Sequence, residues 1–231
     1  FDIKHGNLIN KTFLSKNQFK LGVKMRTTNN HILITGGSTG IGFSFAKRLV
    51  ELNNEVLICS RSEEKLKKAK EELKEVLTYK CDVSNMEDVK SLYNFVKDNF
   101  KEINILINNA GIQRELDLKK GIDNIKYAEE EININFKGQV YVTLYMIPLL
   151  LEKQNAAIVN VTSGLGFIPS KRFPVYSATK AAMHAFTLTL REQLKDKIKV
   201  FEVIPPAVYD TYLKGHFMEK SDFTISTKEL T

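Results

Sequence analysis

Tyr176 and Lys180 stand four residues apart in a stretch with helical patterning, which puts them on one face of a helix. A free phenol, with a pKa near ~10, exchanges protons poorly at neutrality. An ammonium beside it favours the phenolate and draws that pKa toward a useful range. Ser163, at the end of an apolar run, is placed to hydrogen-bond an oxygen held next to the phenol. Such a trio suits proton exchange with a carbonyl or alcohol oxygen. Taken alone, however, a Tyr-x-x-x-Lys pair is common on ordinary helices.

A second constellation lies near the start of the regular pattern. The run Thr35-Gly36-Gly37-Ser38-Thr39-Gly40-Ile41-Gly42 follows a short apolar segment and opens a helix. Glycines there allow positive φ and close approach of the backbone to a ligand. A helix N-terminus offers unpaired N–H groups and partial positive charge, suited to a pyrophosphate. The spacing is G-x-x-x-G-x-G rather than G-x-G-x-x-G, and a tight strand–helix connection reads the same way. The next strand ends Ile58-Cys59-Ser60-Arg61, with no acid before Glu63. An acid at that point would accept from the ribose hydroxyls of NAD, whereas the fork of Arg61 suits a 2′-phosphate. NADP(H) is therefore the expected cofactor, with Ser60 and Arg61 discriminating. The alternative is a solvated surface arginine. No metal is expected.

The elements that must position these groups alternate along the chain. Short apolar runs at His31–Thr35, Glu55–Cys59, Thr78–Cys81, Ile103–Ile107, Ala156–Val161 and Lys199–Ile204 read as strands. Helical stretches at Ile41–Leu52, Glu63–Val76, Asp88–Phe100, Glu129–Lys153 and Val175–Lys195 separate them. The strands are continuous rather than alternating apolar runs, as in a parallel sheet covered on both faces. The fold class is α/β, a doubly wound, Rossmann-like parallel sheet with helices on both faces and six strands evident.

Composition narrows the function classes. The 231 residues are 43% apolar and 26% charged, as expected of one globular domain. The net charge of +7 is uneven: residues 1–24 hold five lysines against one acid, leaving only +3 for the remainder. No basic run interleaved with aromatics appears, so nucleic acid is not an expected partner. The longest apolar stretch, Val140–Leu151, is too short to span a bilayer and includes Pro148. Two cysteines in apolar contexts, Cys59 and Cys81, suit a reduced, cytoplasmic protein. Residues 1–24 read as a basic leader outside the core, and 25–231 as the single cofactor-binding and catalytic domain.

These motifs in this order resemble the short-chain dehydrogenase/reductase family from about Asn30 to Thr211. Thr35-Gly36-x-x-x-Gly40-x-Gly42 matches its cofactor loop, Cys81-Asp82-Val83 its adenine-side acid, and Asn108-Asn109-Ala110-Gly111 its turn after the fourth strand. Asn135-Phe136-Lys137-Gly138 matches its catalytic asparagine segment, and Ser163 with Tyr176-x-x-x-Lys180 its active-site motif. The texture around Phe173–Tyr176 and Val203–Val208 is most similar to the DltE-like oxidoreductases. The resemblance implies Tyr176 as general acid in reduction and base in oxidation, Lys180 lowering its pKa and holding the nicotinamide ribose, and Ser163 polarising the substrate carbonyl. It implies Asn135 as the anchor of a proton-relay water, Asp82 at the adenine edge and Asn109 as a brace for the fourth strand. Asn133 competes for the relay, but the Asn-x-x-Gly spacing selects Asn135. Pro206 and Val208 are expected beside the nicotinamide, although Pro205-Pro206 replaces the family's Pro-Gly.

The resemblance also implies a homodimer or tetramer through the two long helices, where Tyr141, Tyr145, Met146, Phe186 and Leu190 offer apolar surface. Only twenty residues follow Thr211, so the family's seventh strand has no candidate and the chain reads as truncated there. The leading function is hydride transfer to or from a small carbonyl or alcohol substrate. A cofactor-binding sensor or scaffold and a 3-oxoacyl thioester reductase are the alternatives. Gln113–Asp117, Leu165–Phe173 and the segment after Tyr209 should line the substrate side, where Lys171 and Arg172 either favour an anionic substrate or are solvated.

Overall fold

The apolar runs pair as their composition requires. A computed structural model describes residues 25–208 and 224–226. In it, β1 (His31–Thr35), β2 (Glu55–Ser60), β3 (Leu77–Lys80), β4 (Ile105–Asn108), β5 (Ala157–Val161) and β6 (Lys199–Val203) form one sheet. All neighbours are parallel and the order is β3-β2-β1-β4-β5-β6. The direction of winding reverses between β1 and β4, so a crevice must open beyond their C-terminal ends.

Alternate residues of each strand feed two cores. Leu33, Leu57, Leu106 and Ile158 join one apolar cluster, and Ile32, Ile34, Ile58 and Ile107 the other. Ala46 of α1 (Gly40–Glu51) and Leu66 and Ala69 of α2 (Glu63–Glu72) cover the second cluster. The first is covered by α3 (Met86–Asn99) and, further along the chain, by α5 (Gln139–Leu151) and α6 (Pro174–Leu194). Burial on both faces is why these strands read as unbroken apolar runs.

Helix starts follow local chemistry. The Ser62 hydroxyl caps α2 by accepting the Lys65 N–H at 3.3 Å, and Asn85 caps α3 by accepting that of Glu87 at 2.9 Å. Pro174 occupies the first turn of α6, where a missing N–H costs nothing. The exception is α1, whose preceding Thr39 makes no capping bond and whose first turn holds no acid.

Two expectations are refined. The stretch read as one helix over Glu129–Lys153 is three pieces: α4 (Ile125–Ile132), a π-helical turn (Asn133–Gly138) and α5. The strand expected from Ile103 begins at Ile105, because the Asn104 side chain instead accepts the His31 N–H at 2.9 Å. Among the described residues β6 is the edge of the main sheet. The short strands β7 (Ala207–Val208) and β8 (Thr224–Ile225) pair with each other instead. Residues 1–24 and Tyr209–Thr211 lie outside the described residues.

Candidate active site

The crevice is a cleft of about 1260 Å³. Gly36, Ser38, Thr39, Gly40, Ile41, Ser60, Arg61, Asp82, Val83, Asn109, Ala110 and Gly111 line one half; Ser163, Tyr176, Lys180 and Pro206 lie in the same cleft. Of the expected cofactor residues, Thr35 and Gly42 sit behind the lining. The side chain of Val208 is not among those described.

The glycine loop is shaped by its neighbours. Gly36 and Gly40 have φ of 65° and 57°, a region that side chains disfavour. A Cβ on Gly36 would also fall 2.8 Å from the Ala110 Cα, so the loop after β4 presses directly on it. Behind them Thr35 is fully buried, and its hydroxyl accepts the N–H groups of Asn109 (3.0 Å) and Ala110 (3.1 Å). The Asn109 amide in turn donates to the carbonyls of Thr35 (3.0 Å) and Gly36 (3.1 Å). Asn109 therefore braces the glycine loop, not only its own strand. Asp82 accepts from the backbone and hydroxyl of Ser84 at 2.9 and 2.6 Å, which fixes its carboxylate at the rim.

The catalytic candidates are held from three elements. Tyr176 is 5% exposed and Lys180 3% exposed on α6, one turn apart. Burial pushes the Tyr176 phenol up to about 12; a hydrogen bond with Ser163 opposes this and the charge of Glu131 adds to it. Burial also pushes Lys180 down to about 8. Its ammonium donates to the Val161 carbonyl at 2.8 Å and lies 5.6 Å from the centre of the Tyr176 ring. Desolvation is the largest influence on both groups. A Cβ on Gly111 would come 3.4 Å from the Asn135 Oδ1 and 3.7 Å from the Lys180 Nζ, so glycine keeps the space between them open.

Asn135 belongs to a larger pattern. Glu131, Asn135, Gln139 and Thr143 recur every four residues, and each meets the segment that leaves β4. Thr143 Oγ1 accepts from the Asn108 side chain at 2.8 Å, and Gln139 donates to the Ala110 carbonyl at 2.5 Å. Asn135 both accepts the Ile112 N–H and donates to the Ile112 carbonyl at 2.8 Å, while Glu131 accepts the Arg114 N–H at 2.5 Å. Asn135 also donates to Thr179 at 3.3 Å, tying the row to α6. A buried chain from Asn108 to Asn160 to Thr187, each step 2.9 Å, pins α6 across the sheet. Of this row, sequence reasoning found Asn135 alone. The four-residue repeat of Glu131, Asn135, Gln139 and Thr143 was the available signal, diluted by the other polar residues of the stretch such as Glu130, Asn133 and Lys137.

One further lining residue was missed. Lys65, one turn beyond Arg61, also lines the cofactor half. Arg172 is exposed, in line with the solvated alternative, and its guanidinium makes two bonds of 3.0 and 2.7 Å to Glu115. No acid joins Arg61 in an ion pair among the described residues.

A nicotinamide dinucleotide fits this cleft. The uncapped, acid-free N-terminus of α1 faces the glycine loop, and Arg61 and Lys65 rim the far end. The short chain dehydrogenase family model matches residues 30–222, and the chain belongs to that family. It is 47% identical over 209 residues to DltE, an uncharacterized oxidoreductase of Bacillus subtilis, covering 89% of this chain and 82% of that one. Its fold matches a 3-ketoacyl-(acyl-carrier-protein) reductase from Brucella melitensis complexed with NADH. The TM-score is 0.82 at 26% identity, over 89% and 88% of the two chains. It also matches the closed form of a serine dehydrogenase complexed with NADP+, with TM-score 0.74 and 29% identity, over 79% and 74%. The chain is a DltE-like short-chain oxidoreductase.

Proposed function

We infer that the protein uses NADP(H) to interconvert a carbonyl compound and its alcohol, with Tyr176 as proton donor and acceptor. The observation that carries this reading is the convergence of Tyr176, Lys180 and Ser163 in one cleft with Arg61 and Lys65 at its other end. Gly36, Gly40, Asp82 and Arg61 would hold the dinucleotide, which supplies the hydride. The chain's own residues then manage orientation and the proton. Ser163 and Tyr176 present two hydroxyls to one substrate oxygen, and Tyr176 gives that oxygen its proton as the carbonyl is reduced. Lys180, pushed down by burial, gives up a proton more readily than a surface lysine, which suits it to resupply the phenol from the Asn135 side. Leu116, Leu165 and Phe173 make the substrate end partly apolar.

Free, buried Cys59 and Cys81 support a reducing, cytoplasmic setting. No helix among the described residues is long and apolar enough to cross a membrane.

The test is a panel of aldehydes, ketones and acyl thioesters, with NADPH and NADH consumption followed for the wild type and Tyr176→Phe. Turnover in the wild type that vanishes in the variant, with NADPH binding retained, supports the reading. Equal turnover in both overturns it.

A further inference from the structure

The face of α6 that carries Tyr176 and Lys180 continues through His184 and Thr187, each three or four residues from the last. Beyond Tyr176, every one of these side chains is bonded to the ends of the last two strands of the main sheet. Lys180 donates to the Val161 carbonyl at 2.8 Å, and Thr187 accepts from Asn160 of β5 at 2.9 Å. Between them, His184 Nδ1 lies 2.9 and 3.1 Å from the two carboxylate oxygens of Glu202 on β6. An ionised carboxylate only accepts, so Nδ1 carries the proton of this bond.

The Glu202 side chain is 9% exposed, a depth at which an acid is rare unless paired. Its second partner is Thr162, whose hydroxyl donates to it at 2.7 Å. The Thr162 N–H donates to the Val203 carbonyl at 2.8 Å, so β6 holds both donors of the residue immediately before Ser163. The other acceptor in reach of the hydroxyl is that same Val203 carbonyl, at 3.3 Å. After Ser163 the chain turns at Gly164–Gly166 and seats on α6. A Cβ on Gly166 would fall 2.9 Å from the Lys180 carbonyl carbon, and the Phe167 ring lies 4.4 Å from that of His184. Ser163 is therefore held from before by Glu202 and from behind by a turn pressed onto the Lys180–His184 face.

We propose that Glu202, clamped by His184, is a positioning residue that acts through Thr162 to set the Ser163 hydroxyl against Tyr176. This rests on the reading of Ser163 and Tyr176 as the two hydroxyls that hold the substrate oxygen. One carboxylate grips both the helix that carries Tyr176 and the strand end that carries Ser163, so the two are kept in register. Two groups serve one oxygen only when their spacing is fixed to within about 0.5 Å. An apolar side chain at position 202 would fill the same space and leave Thr162 without its short bond.

The experiment uses Glu202→Leu, Glu202→Gln, Thr162→Val and the double variant Glu202→Leu with Thr162→Val. Reduction by NADPH of the carbonyl compound turned over fastest in the panel above is measured, with kcat and KM separated. Independently of turnover, amide hydrogen exchange is followed over residues 162–166 without substrate. Glu202→Leu and Thr162→Val should each lower kcat about tenfold or more and speed that exchange, with the KM for NADPH changed no more than about twofold. The double variant should match either single one within about twofold, because both break the same link. Glu202→Gln keeps an acceptor for Thr162 and should hold kcat within about threefold of the wild type. Losses that multiply in the double variant overturn the proposal, as does unchanged kcat or unchanged exchange in Thr162→Val. A loss in Glu202→Gln as deep as in Glu202→Leu overturns it too. Should Glu202→Leu fail to fold, Thr162→Val and Glu202→Gln decide by the same criteria. Full turnover in Ser163→Ala would sink the catalytic reading of Ser163 instead, and the exchange would still judge the clamp.

Discussion

The hydroxyl of Thr35 accepts the backbone N–H of Asn109 at 3.0 Å while the Asn109 side chain donates to the Thr35 carbonyl, also at 3.0 Å. This reciprocal pair joins the C-terminal ends of the two strands at which the sheet changes direction. Thr35→Val keeps the shape but leaves the N–H groups of Asn109 and Ala110 without their acceptor. A loss of about 2 kcal/mol in unfolding free energy is expected, with cofactor affinity reduced. Urea denaturation and NADPH titration check both parts; an unchanged midpoint would show that the loop holds itself.

Arg61 is exposed at the cofactor rim with no ion pair among the described residues. NADPH is expected to bind at least about tenfold more tightly than NADH, as one charge-assisted phosphate contact allows. Arg61→Ala should erase most of that difference, and Arg61→Ala with Lys65→Ala the rest, while NADH affinity barely changes. Fluorescence titration of both cofactors measures it, and equal affinities in the wild type would refute it.

Stability should respond to pH in two windows of opposite slope. Glu131 is raised from 4.5 to about 7, so between these values the folded chain holds a proton that the unfolded chain has released. Stability therefore falls as pH rises through that window. Lys180 is lowered from 10.5 to about 8, so between these values the unfolded chain holds the extra proton and stability rises with pH. Lys180→Met should abolish turnover yet raise stability at pH 7 by about 1–3 kcal/mol, since a buried ammonium is removed. Denaturant melts of Glu131→Gln and Lys180→Met across pH 4–11 would show which slope each one flattens; the wild-type slopes persisting in both would refute the assignment.

The expected homodimer needs a revised surface. Met146 and Leu190 are buried in the chain's own core, and Tyr141, Tyr145 and Phe186 pack against it. The exposed apolar residues on these helices are Leu144 (57%), Leu151 (45%) and Leu188 (45%). A dimer through α5 and α6 should dissociate on Leu144→Glu with Leu188→Glu, because two charges would be desolvated at each copy. Light scattering at micromolar concentration decides; a wild-type monomer would count against the interface.

Much of the site was legible because its residue types are unusual where they stand. Glycines at Gly36 and Gly40, an arginine in place of an acid at Arg61, and Tyr176 four residues before Lys180 each announce a local need. The doubly wound sheet was equally legible, since strands covered on both faces leave continuous apolar runs. What escaped depends on partners distant in sequence. The pairing of Arg172 with Glu115 spans fifty-seven residues, and the upward shift of Tyr176 comes from burial beneath elements that meet only in the fold. The π-helical turn left no break in the apolar pattern at all.

That turn has a geometric consequence. Beyond β4 the contacts fall on every second residue: positions 108, 110, 112 and 114 are read by helix positions 143, 139, 135 and 131. In a regular α-helix a step of four residues overshoots a full turn by about 40°. Three such steps would swing the last side chain about 120° away from the first. The wider i→i+5 turn at Asn133–Gly138 winds back part of that excess. The helix is thereby kept in phase with a segment of a different period, like a gear cut with one wide tooth. Removing one residue from the turn, with every rung of the row retained, would leave the chemistry intact on paper and mesh none of it.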